Sequence, residues 1–179
     1  MIKIIYRIIW LFSIVNAQTF SIARVHYGGG GDWYSNPSSL PNLLKYIESN
    51  TSISTYQDEF RIKLTDENAN EFPFLYMTGH GNIKFTEEEI ISLRTILTNN
   101  GFLHADDNYG MDASFRREIK LVFPNKEFVR LPKEHPIFSS YFTFPNGLPK
   151  IHEHDGKPPE ALGLFENDRM IVLYTYESD

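Results

Sequence analysis

The chain has no cysteine among its 179 residues. That single absence removes disulfides, thiolate metal sites and every thiol nucleophile. Positive charge is not in excess either. Lys and Arg number 17 against 23 Asp and Glu, a formal net charge of -6. A nucleic-acid binder carries a basic stripe, so that partner class is excluded. Internal repeats and low-complexity tracts are missing. The N-terminal apolar core, Ile8–Val15 (IIWLFSIV), is about half of the roughly 20 residues that a membrane-spanning helix needs. Tryptophan is scarce, with only 2, but Phe 14 and Tyr 10 lift the aromatic share to 15% and the hydrophobic share to 41%. That composition belongs to a folded globular chain with a real core.

The first residues have the form of an export signal. Lys3 and Arg7 supply a positive start, Ile8–Val15 the apolar core, and Val15-Asn16-Ala17 a permitted cleavage site. Residues 1–17 are therefore expected to be a cleaved signal peptide, with a single α/β domain over 18–179. The alternatives are an uncleaved anchor, which would be the chain's one tie to a membrane, or a buried helix or strand. Cleavage leaves 15 cations against 23 acids, a net charge of about -8. The expected location is outside the cytoplasm, in the periplasm or cell envelope.

Strand and helix signals alternate along the rest. Phe20–Tyr27 alternates apolar and polar residues as a half-buried strand does. A helix is expected from Ser38 or Ser39, with Leu40, Leu43, Leu44 and Ile47 on its apolar face. Phe60–Leu64 is a short strand, and Phe72–Thr78 (FPFLYMT) has the continuous apolar character of a strand buried on both sides. Thr86 and Glu89 form a capping box that opens a helix burying Ile90, Leu93, Ile96 and Leu97. Gly101–Ala105 is the next strand, then a helix from near Asp112 with Phe115, Ile119, Val122 and Phe123 inside. Ala161–Phe165 and Met170–Tyr176 make a late hairpin. Pro132–Pro159 breaks the rhythm and is expected to be a long functional loop or small insertion. Alternation of this kind predicts an α/β three-layer sandwich, flavodoxin-like, with a mainly parallel sheet.

Chemistry-bearing residues gather in a few places. The sharpest is GFLHADDNYG, Gly101–Gly110, read as a strand that gives out into a polar turn. His104 and Asp106 share a face if the strand continues that far. They could act as a general base with its orienter, or as metal ligands. Asp107 joins them as a candidate catalytic group, and Asn108 and Tyr109 as candidate ligand contacts. The competing reading is an Asp capping the next helix and a His bonded inside the sheet. Gly28–Gly31 follows a strand, so Gly29 and Gly30 could cradle an anion, with Asp32 and Trp33 as further candidate ligand contacts. The spacing matches neither a dinucleotide fingerprint nor a phosphate-binding Walker loop, and a flexible turn is the rival. His80 stands between glycines after a buried strand, as a site residue or as a turn residue bonded to a carbonyl. Arg117 can reach back to the carboxylates or hold an anionic ligand; a surface ion pair to Glu118 or Asp112 is the alternative. His152 and His154 have the H-x-H spacing of a divalent metal pair, with a loop held by Asp155 as the rival; His152 is also a candidate ligand contact.

ARVHYGGGGDWYSNPSSLPNLL, FPFLYMTGHGNIKFTEEEI, GFLHADDNYGMDASFRREI and GLPKIHEHDGKPPEALGLF together resemble an uncharacterised bacterial domain family. Its members are usually exported or membrane-anchored, and it has no assigned activity. That family resembles the class I glutamine-amidotransferase-like superfamily through its trehalose-utilisation-protein-like branch. The shared pattern is a strand, the helix opened by Thr86 and a glycine turn into Gly101–Ala105; His135-Pro136-Ile137 is similar to that branch's His-Pro-Ile turn. The resemblance implies an amidotransferase-like fold. True amidotransferases place a Cys after this strand, and Asp106 and Asp107 stand there instead, so glutaminase chemistry is excluded. The family's Gly pair is Asn100-Gly101 here. Related chains run on past Glu177-Ser178-Asp179 with an acidic, Trp-containing segment and a helix, which implies that this chain lacks a C-terminal piece.

Two functions follow as expectations. One is an exported ligand-binding domain, for a small-molecule or envelope ligand, with its site at the C-terminal edge of the sheet. The other is a metal-assisted or His/Asp-dependent hydrolase-like enzyme using Asp106 or His104 as base, His80 and His152 to bind or polarise, and Arg117 to hold an anion.

Overall fold

A computed structural model describes residues 19–151, 154 and 156–178. The expected signal peptide and His152 lie outside the described residues. Seven strands are described: β1 (Ala23–Val25), β2 (Phe60–Ile62), β3 (Phe74–His80), β4 (Phe102–Tyr109), β5 (Val129–Arg130), β6 (Glu160–Glu166) and β7 (Arg169–Tyr176). Three α-helices accompany them: α1 (Ser39–Asn50), α2 (Glu87–Thr98) and α3 (Asp112–Val122).

The strands form one sheet in the order β2-β1-β3-β4-β7-β6-β5. Pairings β1–β2, β1–β3, β3–β4 and β4–β7 are parallel, whereas β6–β7 and β5–β6 are antiparallel. The sheet is therefore mixed, which corrects the mainly parallel sheet expected from the sequence. The cause is the hairpin. Asn167 and Asp168, both at positive φ (47° and 65°), turn the chain in two residues, so β6 must run against β7.

Strand alternation divides the core. Ala23, Val25, Leu75, Met77, Leu103 and Ala105 meet Leu93, Ile96 and Leu97 of α2 and Phe115, Ile119 and Val122 of α3. On the other face, Ile22 and Tyr76 pack on Leu40 and Leu44 of α1. Further along the sheet, Phe138 of the Pro-rich segment joins Leu131, Ala161 and Leu173 in a third cluster. The segment thus supplies core, closing a 3₁₀ turn at Pro136–Ser139 that the His135 side chain caps by accepting from the Ile137 N–H. The capping box at Thr86 and Glu89 is formed in both directions. Leu43, expected inside, is 43% exposed, because α1 lies on the sheet through one narrow stripe, Leu40 and Leu44.

One boundary matters for function. The expected strand Gly101–Ala105 runs on to Tyr109. Asp106 to Tyr109 are strand residues, paired with β3 as far as Tyr109 and with β7 only as far as Asp106, and the turn begins at Gly110. Asp106 and Asp107 consequently face opposite sides of the sheet.

Candidate functional site

The strand order reverses between β1 and β3: the chain leaves β1 for β2 on one side, then crosses to β3 on the other. In open α/β sheets the crevice at the carboxyl ends of those two strands is where ligands bind. Asp32, just after β1, and His80, the last residue of β3, meet there.

Their contact is specific. His80 Nδ1 lies 3.0 Å from Asp32 Oδ2, and the His80 backbone N–H donates to Asp32 Oδ1. The Asp32 N–H in turn donates to the His80 carbonyl at 3.3 Å. A β-bulge between Gly79 and His80 re-aims the imidazole. Gly79 sits at φ +138°, and a Cβ there would enter the space of the Tyr27 hydroxyl and Asp32. Only glycine fits, which is why the pair can close against β3. Burial pushes the Asp32 carboxyl up, but the hydrogen bonds and charge of His80 outweigh it and hold the group below its usual range. Both side chains remain open to solvent, Asp32 at 33% and His80 at 53%. With Nδ1 facing Asp32, Nε2 is the free nitrogen of the ring. This is the arrangement of a general base and its orienter, or of a donor poised for a bound ligand.

The floor beside the pair is bare backbone. Gly31, Gly81 and Gly110, from three different loops, lie side by side: a Cβ on Gly81 would sit 3.8 Å from Gly31 Cα and one on Gly110 3.9 Å from Gly81 N, ordinary contact distances, whereas a Cβ on Gly31 would come within 2.8 Å of the His80 carbonyl. Trp33 stacks on His26 with ring centroids 4.1 Å apart.

A buried arginine holds this edge together. Arg24 is 1% exposed. Its guanidinium donates to Glu59 (3.2 Å) and to the carbonyls of Ser35 (2.9 Å), Trp33 (3.4 Å) and Asn36 (3.4 Å). Asn108 completes the brace. Its Nδ2 donates to Ser35 Oγ, and its Oδ1 accepts from Asn36 Nδ2 and Thr78 Oγ1. Asn108 therefore holds the loop that carries Asp32 and Trp33, and is itself buried.

The His104, Asp106 and Asp107 group separates. His104 and Asp106 do share a face, joined through Thr175. The Thr175 hydroxyl donates to Asp106 Oδ1 and lies 3.3 Å from His104 Nε2, while Tyr76 Oη donates to Asp106 Oδ2 at 3.4 Å. Burial lowers the His104 pKa below the usual histidine value, opposed by the Asp106 charge, so the ring is neutral at pH 7. Burial also pushes the Tyr76 hydroxyl up, with the Asp106 charge adding to it. Asp107 points to the opposite face. It accepts from Met111 N–H (2.9 Å) and the Tyr174 hydroxyl (3.3 Å), closing the start of α3, and burial raises its pKa. His80 belongs with Asp32 and not with these residues.

Tyr109 stacks on His154 at 4.6 Å, and both border a cavity of about 270 Å³ with Asp107, Asp112, Tyr176 and Glu177. Arg117 binds Glu118 (2.8 Å) and also reaches the loop after His80, donating to the Ile83 carbonyl (2.6 Å) and Asn82 Oδ1 (3.2 Å). Among the described residues no group of three or more His, Asp and Glu could hold a metal ion. The His152 partner of the expected metal pair lies outside the described residues, as does Asp155. Arg24, Glu59, His26, Tyr27, Tyr76 and Thr175 were not legible as site-forming residues. An Arg inside the alternating run FSIARVHY was the one available signal, since a charge at an inward position demands a partner.

No curated protein matches the chain. A family model described as "Domain of unknown function (DUF4159)" matches residues 21–179, which takes in every element described above. The chain belongs to the DUF4159 family.

Proposed function

We propose that this chain is an exported ligand-binding domain on a doubly wound, flavodoxin-like scaffold of the amidotransferase-like kind, and that its site is the C-terminal edge of the sheet around Asp32 and His80. The observation that carries this reading is the Asp32–His80 pair at the reversal of strand order, over a floor of glycine backbone. The run β2-β1-β3-β4 with a fifth parallel strand supports the scaffold. Lys3, Arg7, Ile8–Val15 and the Val15-Asn16-Ala17 site support export to the periplasm or envelope. The ligand class is a small molecule or envelope component with a group that His80 can hydrogen-bond.

The test is amide chemical-shift mapping of the ¹⁵N-labelled chain against a fragment set of carboxylates, amides, sugars and phosphates. Fragments that move His80, Gly81 and Gly110 together, and cease to do so in Asp32→Asn, support the site. Fragments that bind elsewhere, or equally well to Asp32→Asn, refute it.

A hydrolase-like enzyme is the second reading, favoured by one feature: Asp32 engages Nδ1 and leaves Nε2 to take a proton from water. The chemistry then belongs to Asp32 and His80 and not to His104 and Asp106, whose hydrogen bonds are already spent on Thr175 and Tyr76. Turnover of p-nitrophenyl esters that disappears in His80→Ala with folding intact would support it.

A further inference from the structure

Among the described residues of this acidic chain, most cations are engaged. Arg24, Arg61, Arg116, Arg117, Lys120, Lys126, Arg130, Lys133 and Lys150 have carboxylate partners. Arg94 and Arg169 cap carbonyls, and Lys157 meets the Tyr176 ring and hydroxyl. Among the described residues, only the side chains of Lys45, Lys63 and Lys84 have no such partner. Two of these three line one hollow of about 480 Å³. Lys63 reaches it from the end of β2 and Lys84 from the loop after β3, and the Gly28-Gly29 turn and His26 complete its near wall.

Gly28 and Gly29 line this hollow, whereas Asp32 and His80 do not. The turn is clamped to its neighbour: Lys84 N–H donates to the Gly28 carbonyl (2.9 Å) and Asn82 Nδ2 to the Gly29 carbonyl (3.1 Å). One carboxylate, Glu89, is on the wall. Its Oε2 is committed to the capping box, accepting the Thr86 N–H at 2.7 Å. Besides Glu89 and Thr86, the lining comprises Lys63, Lys84, Gly28, Gly29 and the aromatic residues Tyr27, Phe85 and His26, the last stacked on Trp33.

Two unpaired lysines at one concavity in a chain of net charge -6 call for a dianion. The volume exceeds what a bare phosphate fills, and the aromatic wall suits an organic group. We infer that the hollow is a phosphomonoester subsite, with Lys63 and Lys84 holding the phosphate and the organic portion running over the glycine turn toward Asp32 and His80. This deepens the ligand-binding reading above and rests on it for the position of the organic portion alone.

The experiment titrates the ¹⁵N-labelled full chain at low salt with phenyl phosphate, inorganic phosphate and benzoate, which separate an ester from free phosphate and from a plain carboxylate. Phenyl phosphate is expected to shift the amides of Gly28, Gly29 and Lys84 saturably and more tightly than the other two. Lys63→Gln combined with Lys84→Gln should weaken it by at least about tenfold, a lost charge contact being worth that factor. Lys45→Gln, which removes the third unpaired lysine on α1, should leave binding unchanged. An equal loss in Lys45→Gln, equal binding of benzoate, or shifts away from the hollow would overturn the subsite. Asp32→Asn, run alongside, keeps the two proposals separable: a phosphate shift that survives it while no fragment touches the Asp32–His80 edge sinks the broader reading and spares this one.

Discussion

Replacing Arg24 with Met tests whether the candidate site depends on one buried charge. Arg24 is 1% exposed, and the side chain of its partner Glu59 is 2% exposed. Met fills similar length but leaves the Glu59 carboxylate with Arg61 alone, and Arg61 is 56% exposed. Breaking a buried pair on one side costs about 3–5 kcal/mol, because a charge stays in a medium that solvates it poorly. The same change frees the carbonyls of Trp33, Ser35 and Asn36, so part of the loss should appear as loosening of the loop that carries Asp32. For a chain of this size the melting temperature should fall by roughly 6–20 °C, taking about 2–4 °C per kcal/mol. Urea denaturation supplies the free energy, and hydrogen exchange of the amides from Asp32 to Asn36 supplies the local term. Adding Glu59→Gln removes the stranded charge and should restore at least about 1 kcal/mol while leaving the loop exchange fast. Glu59 Oε2 has no hydrogen-bond partner, so neutralising that carboxylate sacrifices little. A single-variant loss below about 1 kcal/mol, or a double variant no more stable than Arg24→Met, would refute the reasoning.

Two further outcomes follow from the buried titrating groups. His104 has a folded-state pKa below its unfolded value near 6.5, so the unfolded chain takes the proton first and stability falls as pH drops below that value. Urea midpoints across that range should show a wild-type decline that is reduced in His104→Gln; an unchanged slope would count against a neutral buried ring. Asp107 has a raised value, so its charged form is disfavoured by folding and its contribution to stability grows as pH falls. Asp107→Asn should therefore be neutral or stabilising at pH 7, the remaining oxygen still accepting from Met111. Asp107→Ala should lose about 1–2 kcal/mol with the helix start. Equal thermal midpoints for the two variants would show that this cap contributes nothing.

Much of the scaffold is legible because its signals are local. The capping box at Thr86 and Glu89, the apolar stripe of α2 and the hairpin turn at Asn167-Asp168 each lie within a few residues, so spacing alone reveals them. The mixed sheet is less legible. Whether β7 enters beside β4 or beside β6 alone depends on contacts about 70 residues apart, which periodicity does not encode. The polar run Asp106–Tyr109 misled for the same reason. Two adjacent carboxylates look like a turn, yet pairing with β3 along the stretch, and with β7 at Asp106, keeps it extended, sending Asp106 to one face and Asp107 to the other.

By itself, the sequence determined the three helices and the larger strands, that no thiol chemistry is possible, and that Gly28–Gly31, Asp32 and His80 follow strands. The absence of cysteine and the local periodicities need no partner elsewhere in the chain to have that meaning. Only the tertiary structure decided which polar groups belong together. Asp32 and His80 are 48 residues apart and meet because β1 and β3 are neighbours in the sheet. Arg24 is a brace because Glu59 and three loop carbonyls converge on it. Lys63 and Lys84 share a hollow because β2 and the loop after β3 end on either side of one glycine turn. Hydrogen bonds and charges act over a few ångströms, and only the sheet order sets which residues come that close.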